Sequence, residues 1–408
     1  MAHAPQLRDP VHVAAWRTVL AGLSASLVGI GLARFSYTPL IPPLIQAHWF
    51  AASDAVSLGT ANLAGYLVGA LAGRPMAARY GNAHSLRAMM LAVTLSFLAC
   101  AFPLSMGWFF AWRLVSGVAG GVIMVLVAAT LLPHVPAAHR GLTSGAIFLG
   151  LGLGIAGSGT VVPVLLEYGL RNAWTGLAAL SAAFTAVSWF AWPSSAVDAA
   201  EPPRQQTTRP STSSSAWLVL YAQYALMAIG LVPAMVFLVD FVIRGLHERA
   251  YVGALFWALY GVGAIVGPPL YGLMGDRIGA RSALRVVLGL QACAVVSLCT
   301  LRTPNVLAAV AVAIGTFPPG IVPLVLARVR ELEPHDVTHQ NRSWSRATIV
   351  FAAAQALSGY AYSALFNASS GNHRLLFWIA AVAIALSLAI DFMIVAAGER
   401  EGSARVPT

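Results

Sequence analysis

Runs of about twenty apolar residues recur along the whole 408-residue chain, and most charged residues lie in the gaps between them. This pattern constrains the fold more than any motif does, because ~20 apolar residues are what one helical crossing of a bilayer requires. Hydrophobic residues make up 58% of the chain and charged residues 9%, against about 25% charged in a soluble domain. The chain is therefore an integral membrane protein. Twelve segments can be counted, near 17–46, 54–73, 84–103, 108–132, 141–166, 172–192, 216–241, 251–271, 283–301, 304–327, 346–367 and 373–396. Between the sixth and seventh lies SSAVDAAEPPRQQTTRPSTSSS, which is too polar to bury a core of its own. It reads as a linker over 194–215, joining an N-terminal six-helix half (1–193) to a C-terminal one (216–408). The first span is too long for a signal-peptide core, so no cleavage is expected.

Lysine is absent, so all 24 basic residues are arginine, and the formal net charge is +10. Such a balance would suit a nucleic-acid binder if the arginines formed one patch, but they are distributed between apolar runs, which signals topology instead. With both termini cytoplasmic, seventeen arginines fall inside, while Arg171, Arg244, Arg249, Arg302 and Arg374 fall outside. The positive-inside rule then sets the orientation, as expected for a bacterial inner-membrane protein. Cys100, Cys293 and Cys299 all sit in apolar runs without ligand-type spacing, so they read as small core residues, and neither a metal nor a cofactor is expected.

The halves are copies. A shift of 198 positions superposes Gly65, Val68, Gly69, Arg79, Gly81, Leu86 and Arg87 on Gly263, Val266, Gly267, Arg277, Gly279, Leu284 and Arg285, and Gly117 on Gly315. Repeats of this kind are typical of secondary transporters, whose sites lie near the midplane between repeats.

The stretch GLMGDRIGAR, Gly272 to Arg281, resembles the G-x-x-x-D-R-x-G-x-R loop of the major facilitator superfamily, and the first span with GLARFSYTPLIP is similar to its YbfB/YjiJ-like branch. The resemblance covers essentially the whole chain. It implies an all-α fold of two pseudo-symmetric six-helix bundles, and it implies that Asp276 and Arg277 act as a cytoplasmic gate latch, by ion pairing and by setting a carboxylate at a helix N-terminus. The first copy, RPMAARYGNAHSLR, keeps Arg79 and Gly81 but has Ala78 in place of the carboxylate, so its latch is weakened or built differently.

Two arginines lie within spans. Arg34 is near the middle of the first, among Gly29, Gly31, Pro39, Pro42 and Pro43. A charge there costs about 2.5–3.5 kcal/mol on translocon scales and usually faces a bundle interior or watery cavity. It reads as an anion clamp, with a structural arginine as the plain alternative. Tyr37, three residues on, shares its helix face and either orients the same ligand or packs. Arg113 opens WRLVSGVAGG in the fourth span, resembling the family's R-x-x-x-G pattern; it snorkels toward headgroups, contributes to a positive cavity, or both. Gly150, Gly154 and Gly157 fall on one face of the fifth span and suit close helix approach, and the Gly-Pro pair of the family's antiporter signature is missing. Gln223, Tyr224, Trp257, Tyr260, Gln355 and Tyr362 lie on helices that line the cavity in the resembled fold, as neutral contacts or as plain packing. Pro318 and Pro319 must break the tenth span's hydrogen-bond ladder, giving a gate hinge or a passive kink.

The expected function is a monomeric secondary transporter for a small organic anion, a carboxylate in the first instance, working by alternating access with protons as a candidate coupling ion. The alternatives are a proton-coupled drug or metabolite efflux antiporter and a non-transporting sensor. No coupling acid stands out: Asp240 and Glu167 are near outer helix ends, Asp54 reads as an N-cap, Asp391 suits a structural partner, and His134 and His139 belong to a cytoplasmic loop. An enzyme is not expected, since no nucleophile elbow, zinc motif or P-loop occurs.

Overall fold

The computed structural model describes residues 10–135, 140–192, 214–369 and 371–403. Most of the expected linker, together with the first nine residues and His139, lies outside the described residues. The rest is helical throughout, in the order α1 Pro10–Ser26, α2 Ala33–Phe35, α3 Ile41–Gln46, α4 Ala52–Tyr80, α5 Asn82–Cys100, α6 Met106–Leu131, α7 Arg140–Leu166, α8 Leu170–Ser188, α9 Ser214–Asp240, α10 Ala250–Ile278, α11 Ala280–Thr300, α12 Pro304–Gly315, α13 Phe317–Leu332, α14 Val337–Ala368 and α15 His373–Ser403. Ten spans among the described residues are long and apolar enough to cross a membrane. Helices α4 and α8, expected as the second and sixth crossings, are less apolar and fall outside that set.

Several helices run past the apolar segments that announce them. α4 and α10 continue to Tyr80 and Ile278, and α14 begins at Val337 rather than near 346. Apolar counting finds the edge of the hydrocarbon, whereas a helix can go on into water with its polar residues solvated. Both long helices end against a glycine held at φ +79°, Gly81 and Gly279, a conformation that side chains with a Cβ rarely adopt. Asp54 was expected to cap α4, but the cap position is Ala51 and Asp54 stands within the first turn, where the helix dipole still favours its charge.

The duplication persists at the level of atomic packing. α4 and α10 are each 29 residues long and start and stop 198 positions apart. A Cβ on Gly65 would strike the Leu114 carbonyl, and one on Gly263 the Val312 carbonyl; Gly69 and Gly267 meet Val118 and Thr316 in the same way, and Gly117 and Gly315 meet Asn62 and Tyr260. Each pair of neighbours is again 198 apart. The superposed glycines thus mark where α4 touches α6 and where α10 touches the α12–α13 span, backbone against backbone.

Helix α7 is pressed between the first span and α10. Gly150 and Gly154 meet Leu23 and Gly31 of the first span, while Gly145 and Gly152 meet Pro268 and Ala264 of α10. Gly157 departs from the expected close approach: no atom lies within contact reach of its Cβ position. The tenth span is broken as its prolines require, with α12 ending at Gly315, α13 starting at Phe317, and Thr316 N–H shared between the Val312 and Ala313 carbonyls.

Gly69→Val, which drives a side chain into the Val118 carbonyl, is expected to destabilise the protein by about 1–3 kcal/mol or more. Gly157→Ala is expected to leave the thermal midpoint of the purified protein unchanged, and tryptophan-fluorescence melting of the two variants checks the contrast.

Candidate functional site

The first span does not cross as one regular helix. From Leu27 to Leu32 its turns widen to π geometry, and this segment holds Gly29 and Gly31, both buried. Gly31 lies against the Gly154 backbone, so the widened turn occupies space that only glycines leave open. Such turns shift side-chain direction and are frequent at functional sites. Arg34 follows within α2, directed to the junction of the two halves.

There its Nη1 donates to Gln355 Oε1 of α14 at 2.6 Å, and its Cζ lies 4.3 Å from the centroid of the Tyr66 ring in α4. Its Nη2 is buried without a hydrogen-bond partner. A buried charged donor left unpaired costs at least about 1–3 kcal/mol, only partly offset by a cation–π contact of about 0.5–2 kcal/mol. The guanidinium therefore has one strong donor to offer an incoming acceptor. It faces a small cavity lined by Ile30, Arg34, Phe35, Tyr66, Met124 and Leu151 from the first half and by Leu231, Met235, Pro318, Val322, Phe351 and Gln355 from the second. The cavity has room for little more than a water molecule, and among the described residues of its wall Arg34 carries the only formal charge.

Tyr66 is the site residue that the sequence reading misses, because, apart from Tyr37, its neutral polar candidates come from second-half helices alone. Tyr37 does not share the Arg34 site. The chain turns at Ser36 and Tyr37, and the Tyr37 hydroxyl donates to the Ala55 carbonyl at 2.7 Å. Its ring carries the other intramembrane arginine instead, with Arg113 Cζ 4.4 Å from its centroid. Arg113 does not snorkel: it is 2% exposed, and its Nη1 donates to the Ala33 carbonyl at 2.8 Å, where α2 ends and leaves acceptors free. The two arginines thus act on one stretch of backbone from different sides, Arg113 bracing it and Arg34 projecting from it.

The second-half residues divide. Gln355 reaches Arg34. Gln223 donates to the Ser387 carbonyl and accepts, through its own carbonyl, from the Ser387 hydroxyl, tying α9 to α15. Tyr224 packs its ring on Phe351 at 4.5 Å, behind the cavity wall. Trp257 stacks on Tyr260 at 5.1 Å and donates to Ser158 Oγ at 3.3 Å, joining α10 to α7. The hydroxyls of Tyr260 and Tyr362 are buried without partners. Pro318, beside the break in the tenth span, lines the cavity, whereas Pro319 is buried away from it. Among the acids, Asp391 pairs with Arg281 at 3.1 Å and Arg285 at 2.5 Å, and Asp240 with Arg244 at 2.5 Å and His373 at 2.6 Å.

On the arginine-rich side of the cavity the halves are held shut. Trp344 of α14, outside the apolar segment counted for its span, is buried and donates from its indole to the Met124 carbonyl of α6 at 3.3 Å. Met124 lines the Arg34 cavity, and Trp344 lines a second small cavity with Arg140 and Arg330. The indole thus stands between the two. Farther out, Asp276 Oδ2 accepts from Leu142 N–H at 3.2 Å, placing a carboxylate of the second half on the N-terminus of α7 in the first. Gly141 admits it, since a Cβ there would overlap the carboxylate. Arg277 and Arg79 are exposed and form no ion pair among the described residues; Arg79 lies over the Tyr80 ring at 5.6 Å.

A multi-pass helical bundle built by duplication, with an arginine in a small cavity between the copies, has the architecture of a membrane transporter. Residues 26–392 match the family described as the uncharacterised MFS-type transporter YbfB, and the protein belongs to that family. A comparison with curated proteins gives no match.

Asp276→Ala is expected to free the N-terminus of α7, at about 0.5–2 kcal/mol for a lost cap, and to loosen the closure. In a background lacking Cys100, Cys293 and Cys299, maleimide labelling of Ala128→Cys, in the wall of the second cavity, is expected to accelerate when Asp276 is removed.

Proposed function

We propose that the protein carries a small organic anion across the bacterial inner membrane by alternating access, with Arg34 as the seat of the charge. The observation behind this reading is the buried, unpartnered Nη2 of Arg34 in a cavity walled by both halves. A carboxylate that accepts from Nη2 replaces an unpaired donor with a charge-assisted hydrogen bond, worth roughly twice a neutral one. Phe35, Tyr66 and Phe351 offer apolar and planar surface to the rest of the ligand, which favours an anion with a compact apolar or planar body. Gln355, held on Arg34 across the halves, is the group through which a bound anion reports to the second half. Because the cavity admits little more than water, a ligand enters only when the halves part.

In the orientation we infer, both termini and the end bearing Asp276, Trp344, Arg140 and Arg330 face the cytoplasm. The break at Thr316 beside Pro318 then serves as a hinge in the cavity wall. Proton-coupled efflux of cationic drugs is disfavoured, since a lone guanidinium repels a cation at the point of binding. The protein is taken to act as a monomer.

The test is a thermal-shift series on purified protein with carboxylates, sugars, amino acids and cationic drugs. Anions are expected to raise the midpoint of the wild type, and Arg34→Ala is expected to abolish that rise while still melting cooperatively. Stabilisation by cationic drugs alone, or an unchanged anion response in Arg34→Ala, would remove the proposal.

A further inference from the structure

The second cavity, on the far side of Trp344 from Arg34, has two arginines in its wall and no acid. Arg140, at the start of α7, comes from the first half; Arg330 of α13 and Gln340, Asn341 and Trp344 of α14 come from the second. Arg140 Nε donates to the Val135 carbonyl at 3.0 Å, which leaves the terminal nitrogens of its guanidinium for other acceptors. Neither arginine forms an ion pair among the described residues. The acids on the neighbouring turns are committed elsewhere. Asp276 accepts from Leu142 N–H, Glu331 holds Arg328 and the Ala280 N–H, Glu333 lies 3.2 Å from His339, and Asp336 caps α14 through the His339 N–H. Two cations from opposite halves thus share one small enclosure whose other described walls are neutral.

Like charges held together in a partly desolvated space oppose closure unless an anion lies between them. The enclosure sets the size of that anion. Its volume is about 30 Å³, against the roughly 10–15 Å³ that one water needs, so a compact inorganic ion fits and a bulky organic one does not. Buried Trp344 closes the inner end, while Pro133 is exposed and Val337 is 41% exposed at the rim. An ion therefore enters from the arginine-rich side without the halves parting. We propose that a compact inorganic anion, chloride in the first instance, binds between Arg140 and Arg330, with the Asn341 amide as a third donor, and pins the closure at this end. Because the two arginines belong to different halves, the site exists only while the halves are together. The anion binds the closed state alone and shifts the population toward it. The site is separate from Arg34, and the assignment stands whatever solute is transported.

The experiment melts the purified full chain in buffers of constant ionic strength in which chloride replaces a bulky sulfonate. Chloride is expected to raise the midpoint of the wild type in a saturable way. Arg330→Gln removes part of the grip and also the repulsion. It is expected to melt no lower than the wild type without chloride, and to need about 10–100-fold more chloride for the same rise, the equivalent of one charge-assisted hydrogen bond. Asn341→Asp, which keeps the size of the side chain, puts a carboxylate into the cavity wall; it is expected to raise the midpoint without chloride and to abolish the response. A second readout follows closure itself. In the background lacking Cys100, Cys293 and Cys299, Met124→Cys, in the Arg34 cavity behind Trp344, is expected to react more slowly with maleimide as chloride rises. The proposal is overturned if chloride has no saturable effect on the wild type, or if both variants respond to it like the wild type. It also falls if Arg34→Ala abolishes the chloride response while Arg330→Gln keeps it, since chloride would then occupy the Arg34 seat and the anion-carrier reading would stand. Should Arg330→Gln fail to fold, Asn341→Asp decides.

Discussion

The hydrogen bond between Arg34 and Gln355 is the interaction on which the centre of this protein depends. It joins residues 321 positions apart in the wall of the cavity between the halves, while Nη2 of the same guanidinium stays buried without a partner. Much around it serves to place that side chain. The π-widened turn and the glycines of α7 let the first span come close, Arg113 braces the end of α2 through the Ala33 carbonyl, and Tyr66 lies beneath the guanidinium. The result is a cation that is positioned but incompletely satisfied, the condition under which binding an acceptor gains most.

Duplication supplies the scaffold, and departures from it supply the chemistry. The glycine contacts between α4 and α6 are repeated between α10 and the tenth span, so both halves pack by the same rules. The charges of the cavity and of the latch carboxylate do not repeat, although Arg79 and Arg87 recur as Arg277 and Arg285. Arg34 falls on Val232 under the same shift, Asp276 on Ala78, and the uninterrupted α6 on a span broken at Thr316. Two copies with identical charges would give a symmetric cavity with two cations repelling each other at its centre. Substitution in one copy leaves a single positive seat, faced by Gln355 and apolar side chains of the other.

Much of this was legible in the sequence, for physical reasons that can be named. The cost of a mid-span arginine singles out Arg34 without any structure, and a carboxylate in a G-x-x-x-D-R loop points to a helix N-terminus that Asp276 does reach. The repeat was legible because close backbone approach tolerates only glycine. What could not be read was the direction of side chains where the first span leaves regular geometry. Tyr37 follows Arg34 at helical spacing, but the turn at Ser36 sends it to Ala55 and Arg113, and Tyr66 takes its expected place. Arg113 sits near a span end, so spacing alone made it a snorkelling residue; the free carbonyl that draws it inward exists only because α2 stops. Trp344 was lost to an apolar count that ends before the helix does.

The central claim is that the transported charge rests on Arg34. Flux of radiolabelled carboxylates into proteoliposomes, compared between the wild type and Arg34→Gln at equal incorporation, addresses it most directly. Saturable flux in the wild type, lost in a variant that keeps its fold, is the predicted result. Anion flux that survives the loss of Arg34, or a wild type that moves only neutral or cationic solutes, would contradict it.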